Sequence, residues 1–318
     1  MKVSILGCGR WGSFLAWYSN KVGHDTISYG PNDTTYKNLL ATRKNEFVVL
    51  DDKIQLTANL KEAVDFADII IVSIDAQNLR GFLKEVCKHN LTNKKIILCM
   101  KGIEIVTGKR LTEVAIECGV DKNQVAVWVG PGHIQDFVKN IPNCMVMDSY
   151  SPALTRVLVD YFTSDLIHFY YGTDIIGTEI GAATKNIFGL LAGMLDGAGL
   201  GALKGALMAR GALEVSKLIK KLGGRELSAY GLCHLGDYEA TLFSKHSNNR
   251  LWGELYMKNK PFKKLAEGVH TARAVHFLAV RHGVDMPLTS TVDALVTQGK
   301  PPKNIWNILF NKVSKAEF

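Results

Sequence analysis

A lysine set inside an apolar helical stretch is the residue of this 318-residue chain best suited to chemistry. Lys185 lies in the run Glu179-Ile180-Gly181-Ala182-Ala183-Thr184-Lys185-Asn186-Ile187-Phe188-Gly189. A charge among such neighbours must sit either in a cleft or beside a partner. Glu179 is six positions away, not the three or four that pair side chains along one helix face, so the spacing favours a cleft. An ammonium that is partly desolvated and near another cation loses part of its preference for the charged form. It can then give a proton to a carbonyl oxygen near neutral pH, which is the general acid that ketone reduction needs. A second lysine, Lys101, directly follows the apolar run Ile96 to Met100. Its alternative reading is a surface lysine at a strand exit. Further on, Asp237, Thr241, Ser247, Asn248, Asn249 and Arg250 crowd into one polar, turn-rich segment, which is either a binding constellation or a solvated loop.

The elements that would position these groups begin at the first residue. Met1 to Leu15 reads as a short apolar strand, then Gly7-x-Gly9-x-x-Gly12, then an apolar stretch with helical spacing. In that pattern Gly7 makes the tight turn, Gly9 lets backbone approach a pyrophosphate, and Gly12 packs the helix closely on the strand. The pyrophosphate would rest on the free N–H groups and positive dipole end of the helix. Apolar runs then alternate with helical patterns, as a doubly wound parallel sheet requires. Strands are expected at Asp25 to Tyr29, Asp68 to Ile74, Lys95 to Met100, Val125 to Val129, Cys144 to Met147 and Ile167 to Tyr171. Helices are expected at Ala76 to Cys87, Gly108 to Cys118 and Pro152 to Phe162. From about Thr173 strands cease and long helical stretches take over, such as Ile175 to Leu195 and Leu207 to Lys221. The fold class is α/β: a Rossmann-type doubly wound domain over residues 1–174 and an all-helical substrate domain over 175–318. Ligands of open α/β sheets bind beyond the carboxyl ends of the strands. That rule places Lys101 beside a nicotinamide and a substrate oxygen. It also makes the turn Gly130-Pro131-Gly132-His133 a border of the same cleft, with His133 a weaker ligand candidate.

Bulk properties narrow the function class. No apolar run approaches the roughly 20 residues of a membrane helix, and the apolar start belongs to the first strand rather than to a signal peptide. The six cysteines are scattered without CxxC pairs or histidines at metal spacing, so the expectation is reduced thiols, no metal site and a cytoplasmic protein. The formal net charge of +8 suits anionic ligands in general, or is a solvated basic surface. Lysines and arginines are spread without interleaved aromatics, which argues against nucleic acid as a partner.

Taken in order, several motifs resemble the NAD(P)-dependent glycerol-3-phosphate dehydrogenases from end to end. They are Gly7 to Gly12 in the form GxGxWG, Lys101-Gly102-Ile103-Glu104, Val129-Gly130-Pro131, Glu179 to Asn186, Arg210-Gly211, Leu235-Gly236-Asp237, Glu267-Gly268-Val269 and Gly283 to Pro287. The resemblance implies cytosolic, commonly dimeric enzymes of glycerophospholipid metabolism that interconvert dihydroxyacetone phosphate and glycerol 3-phosphate with NAD or NADP. It implies that Lys185 is the catalytic lysine, supported by Lys101, and that Asn186, Asp237 and Thr241 line the substrate. It also implies that Gly7, Gly9, Arg10, Trp11, Gly12 and Glu267 bind the cofactor. The chain departs from the family where the family's Arg-Asn phosphate grip is Asn248-Asn249, with Arg250 one position later. It departs again at Gly130-Pro131-Gly132-His133-Ile134, in place of Gly-Pro-Ser-Phe-Ala, and at Ile74-Asp75-Ala76, in place of Val-Pro-Ser. After the second strand, Tyr29-Gly30-Pro31-Asn32 offers neither the acid that favours NAD nor the arginine that favours NADP. Arg250 is the expected substitute anchor for a phosphorylated substrate. Two alternatives stand beside it: the same mechanism on a different small polyol, ketone or phosphonate-like substrate, with Asn248 and Asn249 bonding hydroxyls, or a non-catalytic dinucleotide-binding protein.

Overall fold

The computed structural model describes residues 1–310 and divides into two compact units. The first comprises Met1–Lys101 and Leu111–Ile175, and the second Gly102–Arg110 with the chain from Ile176 onward. Eight strands build the first unit: β1 (Lys2–Leu6), β2 (Asp25–Tyr29), β3 (Gln55–Thr57), β4 (Ile69–Val72), β5 (Lys95–Leu98), β6 (Val125–Val129), β7 (Asn143–Ser149) and β8 (Ile167–Tyr171). They form one sheet in the order β3-β2-β1-β4-β5-β6-β7-β8. β1 is therefore an inner strand, and the strand order reverses between β1 and β4, where open α/β sheets present their ligand crevice. The central strands are apolar on both faces: every residue of β4, Ile-Ile-Ile-Val, is buried, as parallel strands covered by helices must be.

The helices of this unit are α1 (Arg10–Lys21), α2 (Thr34–Thr42), α3 (Leu60–Phe66), α4 (Leu79–Val86), α5 (Leu111–Glu117), α6 (Ile134–Phe137) and α7 (Pro152–Phe162). Local signals start several of them. Asp33 accepts the Tyr36 N–H, Asn59 accepts from Lys61 and Glu62, and Ser151 precedes a proline in the first turn and caps Leu154 N–H. β3, α2 and α3 were not anticipated from the sequence, because they are short and largely solvated and so carry little hydrophobic period. The parallel expectation also has one correction. β6 and β7 pair antiparallel, Val127 opposite Asp148. The link between them holds just the four-residue α6, with no crossover helix to return the chain to the same direction. The expected helix at Gly108 to Cys118 starts at Leu111, since residues 102–110 leave the sheet unit and pack in the second.

The second unit holds α8 (Ile175–Gly197), α9 (Lys204–Lys221), α10 (Asn248–Met257), α11 (Glu267–His282), α12 (Pro287–Gln298) and α13 (Ile305–Phe310). α8 is its axis: Phe188, Leu190, Leu191, Met194 and Leu195 are all fully buried. Glycines recur along α8 at positions 177, 181, 189, 193 and 197, every fourth residue except the one occupied by Lys185. The spacing keeps them on one stripe of the helix surface, where backbones can approach closely. A Cβ on Gly193 would overlap the Arg250 carbonyl oxygen, and one on Gly189 would lie 2.9 Å from Thr241 Cγ2. An ion pair between Arg110 Nη1 and Glu179 Oε2, 2.7 Å apart and nearly buried, ties the 102–110 excursion to α8. Among the described residues no helix is long and apolar enough to cross a membrane, and no cluster of His, Cys, Asp and Glu could hold a metal ion.

Candidate active site

The glycine loop has the geometry its spacing implies. Gly7 has φ +117°, a region L side chains rarely adopt, and its N–H donates to Tyr29 O at 3.0 Å. A Cβ on Gly12 would fall against the Gly7 carbonyl, with the Gly7 carbon 2.8 Å away, so the loop and α1 can close only on glycine. Gly9 differs: a Cβ there would meet nothing within 4 Å. Gly9 is also the N-cap of α1 and supplies no capping side chain. The N–H groups of Arg10, Trp11 and Gly12 consequently have no intrahelical acceptor. Open space beside uncapped N–H groups at a dipole's positive end fits a pyrophosphate. Arg10 reaches over this mouth: its guanidinium lies 4.5 Å from the Phe47 ring centroid and its Nη2 donates to Gln135 Oε1 at 3.1 Å. Trp11 packs on Phe14, ring centroids 4.9 Å apart. At the end of β2, the carboxylate of Asp33 is spent on capping α2 through Tyr36 N–H, 2.8 Å. Lys101, at the exit of β5, donates from Nζ to Gly130 O at 2.6 Å. Gly130 and Gly132 both have positive φ, +128° and +147°, so that turn also depends on glycine.

In the second unit the structure brings together Lys185, Asp237 and Thr241. Lys185 Nζ lies 2.6 Å from Asp237 Oδ2 and donates to Thr241 Oγ1 at 2.8 Å; the side chains of Lys185 and Asp237 are 9% and 0% exposed. Lys185 thus has the partner that the sequence spacing left open, supplied by the 3-10 turn Leu235–Asp237 rather than by Glu179, which Arg110 occupies. Within this unit the group against the Lys185 ammonium is thus a carboxylate. Thr241 sits in a short π-helix, Glu239–Phe243, a geometry frequent at functional sites.

A second knot lies one residue along α8. Asn186 Nδ2 donates to Glu267 Oε2 at 3.3 Å, Asn249 Nδ2 donates to Asn186 Oδ1 at 3.0 Å, and Gly268 N donates to Asn249 Oδ1 at 2.9 Å. Glu267, expected as a cofactor ligand, here orients Asn186. Asn249, 9% exposed, uses its carbonyl and one N–H in holding α10, α8 and α11 together.

Arg250 is held within the second unit. The expected phosphate anchor directs Nη1 to Asp196 Oδ2 at 2.7 Å and Glu254 Oε2 at 3.0 Å, and Nε to Ser244 O at 3.1 Å. The reason is helical: at N3 of α10, Arg250 faces Glu254 one turn on, while Ser247 caps the Arg250 N–H. Asn248, at N1 of α10, is half-buried and makes no side-chain hydrogen bond among the described residues.

Two residues absent from the sequence reading support the ammonium. His234, fully buried, is pushed down to about 4 by desolvation, against the opposing hydrogen bond to Gly181 O. As the neutral ring it donates from Nδ1 to Gly181 O at 3.0 Å and accepts at Nε2 from the Tyr238 hydroxyl at 2.7 Å. His234 and Tyr238 flank Asp237 in sequence, so this bond pins the turn carrying Asp237 against α8 one turn ahead of Lys185. The four-residue glycine period in α8 was the available signal that another segment approaches there.

Comparison with known proteins agrees with this geometry. The family described as NAD-dependent glycerol-3-phosphate dehydrogenase N-terminus matches residues 2–155, and that of the C-terminus matches residues 174–307. The chain is 36% identical over 315 residues to glycerol-3-phosphate dehydrogenase [NAD(P)+] of Pelodictyon phaeoclathratiforme, covering 95% of each. It is 33% identical to the protein of the same name from a Thermoanaerobacter species, covering 100% of this chain and 99% of the other. In fold it is similar to glycerol-3-phosphate dehydrogenase of Coxiella burnetii, with TM-score 0.87, 24% identity and 93% and 94% of the two chains covered. It is also similar in fold to the Saccharomyces cerevisiae enzyme, with TM-score 0.81, 20% identity and 98% and 99% covered. With both halves of the family matched in order along the whole chain, this protein belongs to the NAD-dependent glycerol-3-phosphate dehydrogenase family.

Proposed function

We propose that the protein is an NAD(P)-dependent oxidoreductase interconverting dihydroxyacetone phosphate and glycerol 3-phosphate. The observation that carries this reading is the buried Lys185 ammonium, held at 2.6 Å by Asp237 and at 2.8 Å by Thr241. A bound nicotinamide supplies the hydride for reduction and accepts it for oxidation. Everything else falls to side chains of this chain. Lys185 protonates the carbonyl oxygen as negative charge develops on it, and in the reverse direction takes the hydroxyl proton. Asp237 and Thr241 hold the nitrogen in place, and Thr241 fixes the direction of one of its N–H bonds. Positioned proton transfer of this kind contributes a factor of about 10² to 10⁴. Asn186, oriented by Glu267 and Asn249, and Lys101, at the exit of β5, are the further substrate-contacting groups in this reading. Gly7, Gly9, Arg10, Trp11 and Gly12 hold the pyrophosphate. Asp33, committed to its helix cap, leaves NAD and NADP both acceptable at the end of β2. The product is the backbone of glycerophospholipids, so the reaction is assigned to their synthesis in the cytoplasm, with a homodimer as the working assembly.

A second reading is favoured by Asn248 and Arg250. With Arg250 spent on Asp196 and Glu254, position 248 offers a neutral amide where relatives of this family carry a guanidinium. The same proton donor would then serve a small polyol or ketone without a phosphate. A panel of phosphorylated and unphosphorylated small ketones, tested with NADH and NADPH by nicotinamide absorbance, separates the two. Preferential turnover of dihydroxyacetone phosphate supports the first reading; preference for unphosphorylated ketones supports the second.

A further inference from the structure

The segment carrying Thr241 ends in carbonyl oxygens that a helix terminus cannot satisfy by itself, and two of them are taken by cations. Lys204 Nζ donates to Leu242 O at 3.0 Å, and Arg250 Nε donates to Ser244 O at 3.1 Å. Both cations converge on a single carboxylate oxygen, Asp196 Oδ2, each at 2.7 Å. Glu254 Oε2 takes Arg250 Nη1 as well, at 3.0 Å, and the Phe243 ring lies under the Lys204 ammonium with its centroid at 5.0 Å. Asp196 is on α8, the helix of Lys185, about three turns farther along. The contacts close a ring: Lys185 to Thr241, along the backbone to Leu242, through Lys204 to Asp196, and back down α8.

We propose that Asp196, Lys204 and Arg250 form an ionic clamp that positions Thr241, and through Thr241 sets the direction in which Lys185 presents its ammonium. The proposal builds on the reading of Lys185 as the proton donor. Three features favour positioning over stability alone. Two cations at 9% and 13% side-chain exposure share one carboxylate, an arrangement whose desolvation penalty offsets much of its Coulomb gain, so it fixes geometry more than it stabilises. The clamped segment is a five-residue π-helix between a 3-10 turn and an extended residue, a rare geometry with no α-helix on either side to hold its shape. Finally, α8 carries glycine where it passes Thr241: a Cβ on Gly189 would lie 2.9 Å from Thr241 Cγ2. Gly189 therefore gives the threonine no side-chain support, and the cations hold the chain that follows it, at Leu242 O and Ser244 O. Arg250 acts in this account through Ser244 O rather than on the substrate.

The test pairs a substrate-independent readout with turnover. Lys185 reactivity toward isotopically labelled acetic anhydride is measured by mass spectrometry against exposed Lys245 as the internal reference. It is compared in wild type, Lys204→Met, Lys204→Arg, Asp196→Asn and Thr241→Val. Freed from Thr241, the amine should be acetylated several-fold faster in Lys204→Met and Asp196→Asn. The kcat for ketone reduction should fall about 10-fold or more, in the range expected for a misaligned catalytic group. NADH affinity should change little, whereas the unfolding midpoint should fall in both variants because a nearly buried charge loses its partner; Lys204→Arg should restore most of the wild-type labelling and kcat. Thr241→Val should raise labelling to the same degree, and adding Lys204→Met to it should raise it no further, since the two act through one contact. Unchanged labelling in both Lys204→Met and Asp196→Asn overturns the clamp, as do effects that add in the double variant. A labelling shift in an enzyme that leaves dihydroxyacetone phosphate untouched supports the clamp and removes the substrate assignment instead.

Discussion

Alanine at position 9 should leave the first unit folded while weakening its hold on the dinucleotide. Gly9 has φ −69° and ψ −166°, values open to any L residue, and a Cβ there would meet no heavy atom within 4 Å. Replacing a glycine in a compatible conformation stabilises by about 0.4 to 1 kcal/mol through the unfolded chain. Alanine is a poorer N-cap than glycine by a few tenths or more, so the two effects nearly cancel and the urea midpoint should move little. Binding should respond differently, because the methyl group fills the open space beside the uncapped N–H groups of α1. Losing one charge-assisted hydrogen bond between phosphate and those groups costs about 1.5 to 3 kcal/mol, or roughly 10- to 150-fold in Kd. NADH titration by nicotinamide fluorescence measures that loss. Gly12→Ala is the control with the opposite outcome: its Cβ would press on the Gly7 carbonyl, which is backbone and cannot rotate away. Stability should drop by about 2 kcal/mol or more. A Gly9→Ala protein of native stability that binds NADH as tightly as wild type would refute the assignment of the pyrophosphate to this turn.

Three further outcomes follow from the second unit. Glu179→Leu should destabilise by about 3 to 5 kcal/mol, because it leaves the Arg110 guanidinium buried without its carboxylate, whereas Arg110→Met combined with Glu179→Leu should regain most of that; urea unfolding of the single and double variants decides. Burial pushes the Glu214 carboxyl up to about 7, against the opposing N–H groups of Thr289 and Leu288 at the start of α12. The folded value exceeds the unfolded one, so the stability this group contributes is full below about pH 4.5 and is lost as pH rises through about 7. Glu214→Gln does not titrate, and its stability relative to wild type should therefore rise between about pH 5 and 8, by at most about 3 kcal/mol; a difference that stays constant with pH would count against it. Asn248→Arg should lower KM for dihydroxyacetone phosphate several-fold, the gap between a charged and a neutral hydrogen bond, while leaving KM for an unphosphorylated ketone unchanged; an equal response of both substrates would mean that position 248 does not meet phosphate.

How far the sequence could be read depended on how local each signal was. β1, the glycine loop and α1 are specified by residues within one turn of each other, and β4 by a run of four apolar residues, so these could be read directly. β3, α2 and α3 could not, because their surfaces are mostly solvated and leave no period. The antiparallel β7 depended on the lack of a crossover helix in the preceding link, a property of the connection rather than of the strand. In the site, Lys185 was conspicuous as a charge among apolar residues, but its partner Asp237 lies on a separate turn that reaches it by a path through His234 and Tyr238. The partners of Arg250 were hidden for the same reason. A guanidinium in a polar segment looks available until Asp196, on another helix, is known to lie 2.7 Å away. The glycine at every fourth position of α8 was legible and would have indicated that α10 and the Thr241 segment crowd that face.

The most direct test of the account is the rate of NADH-dependent reduction of dihydroxyacetone phosphate by wild type and by Lys185→Ala, with NADH affinity measured on the same preparations. Nicotinamide absorbance should show turnover by the wild type, and a kcat lower by a factor of about 10² to 10⁴ in the variant. NADH should bind both proteins alike, since Gly7, Gly9 and Gly12 are untouched. A Lys185→Ala enzyme that reduces the ketone at the wild-type rate would contradict the central claim that this buried ammonium delivers the proton.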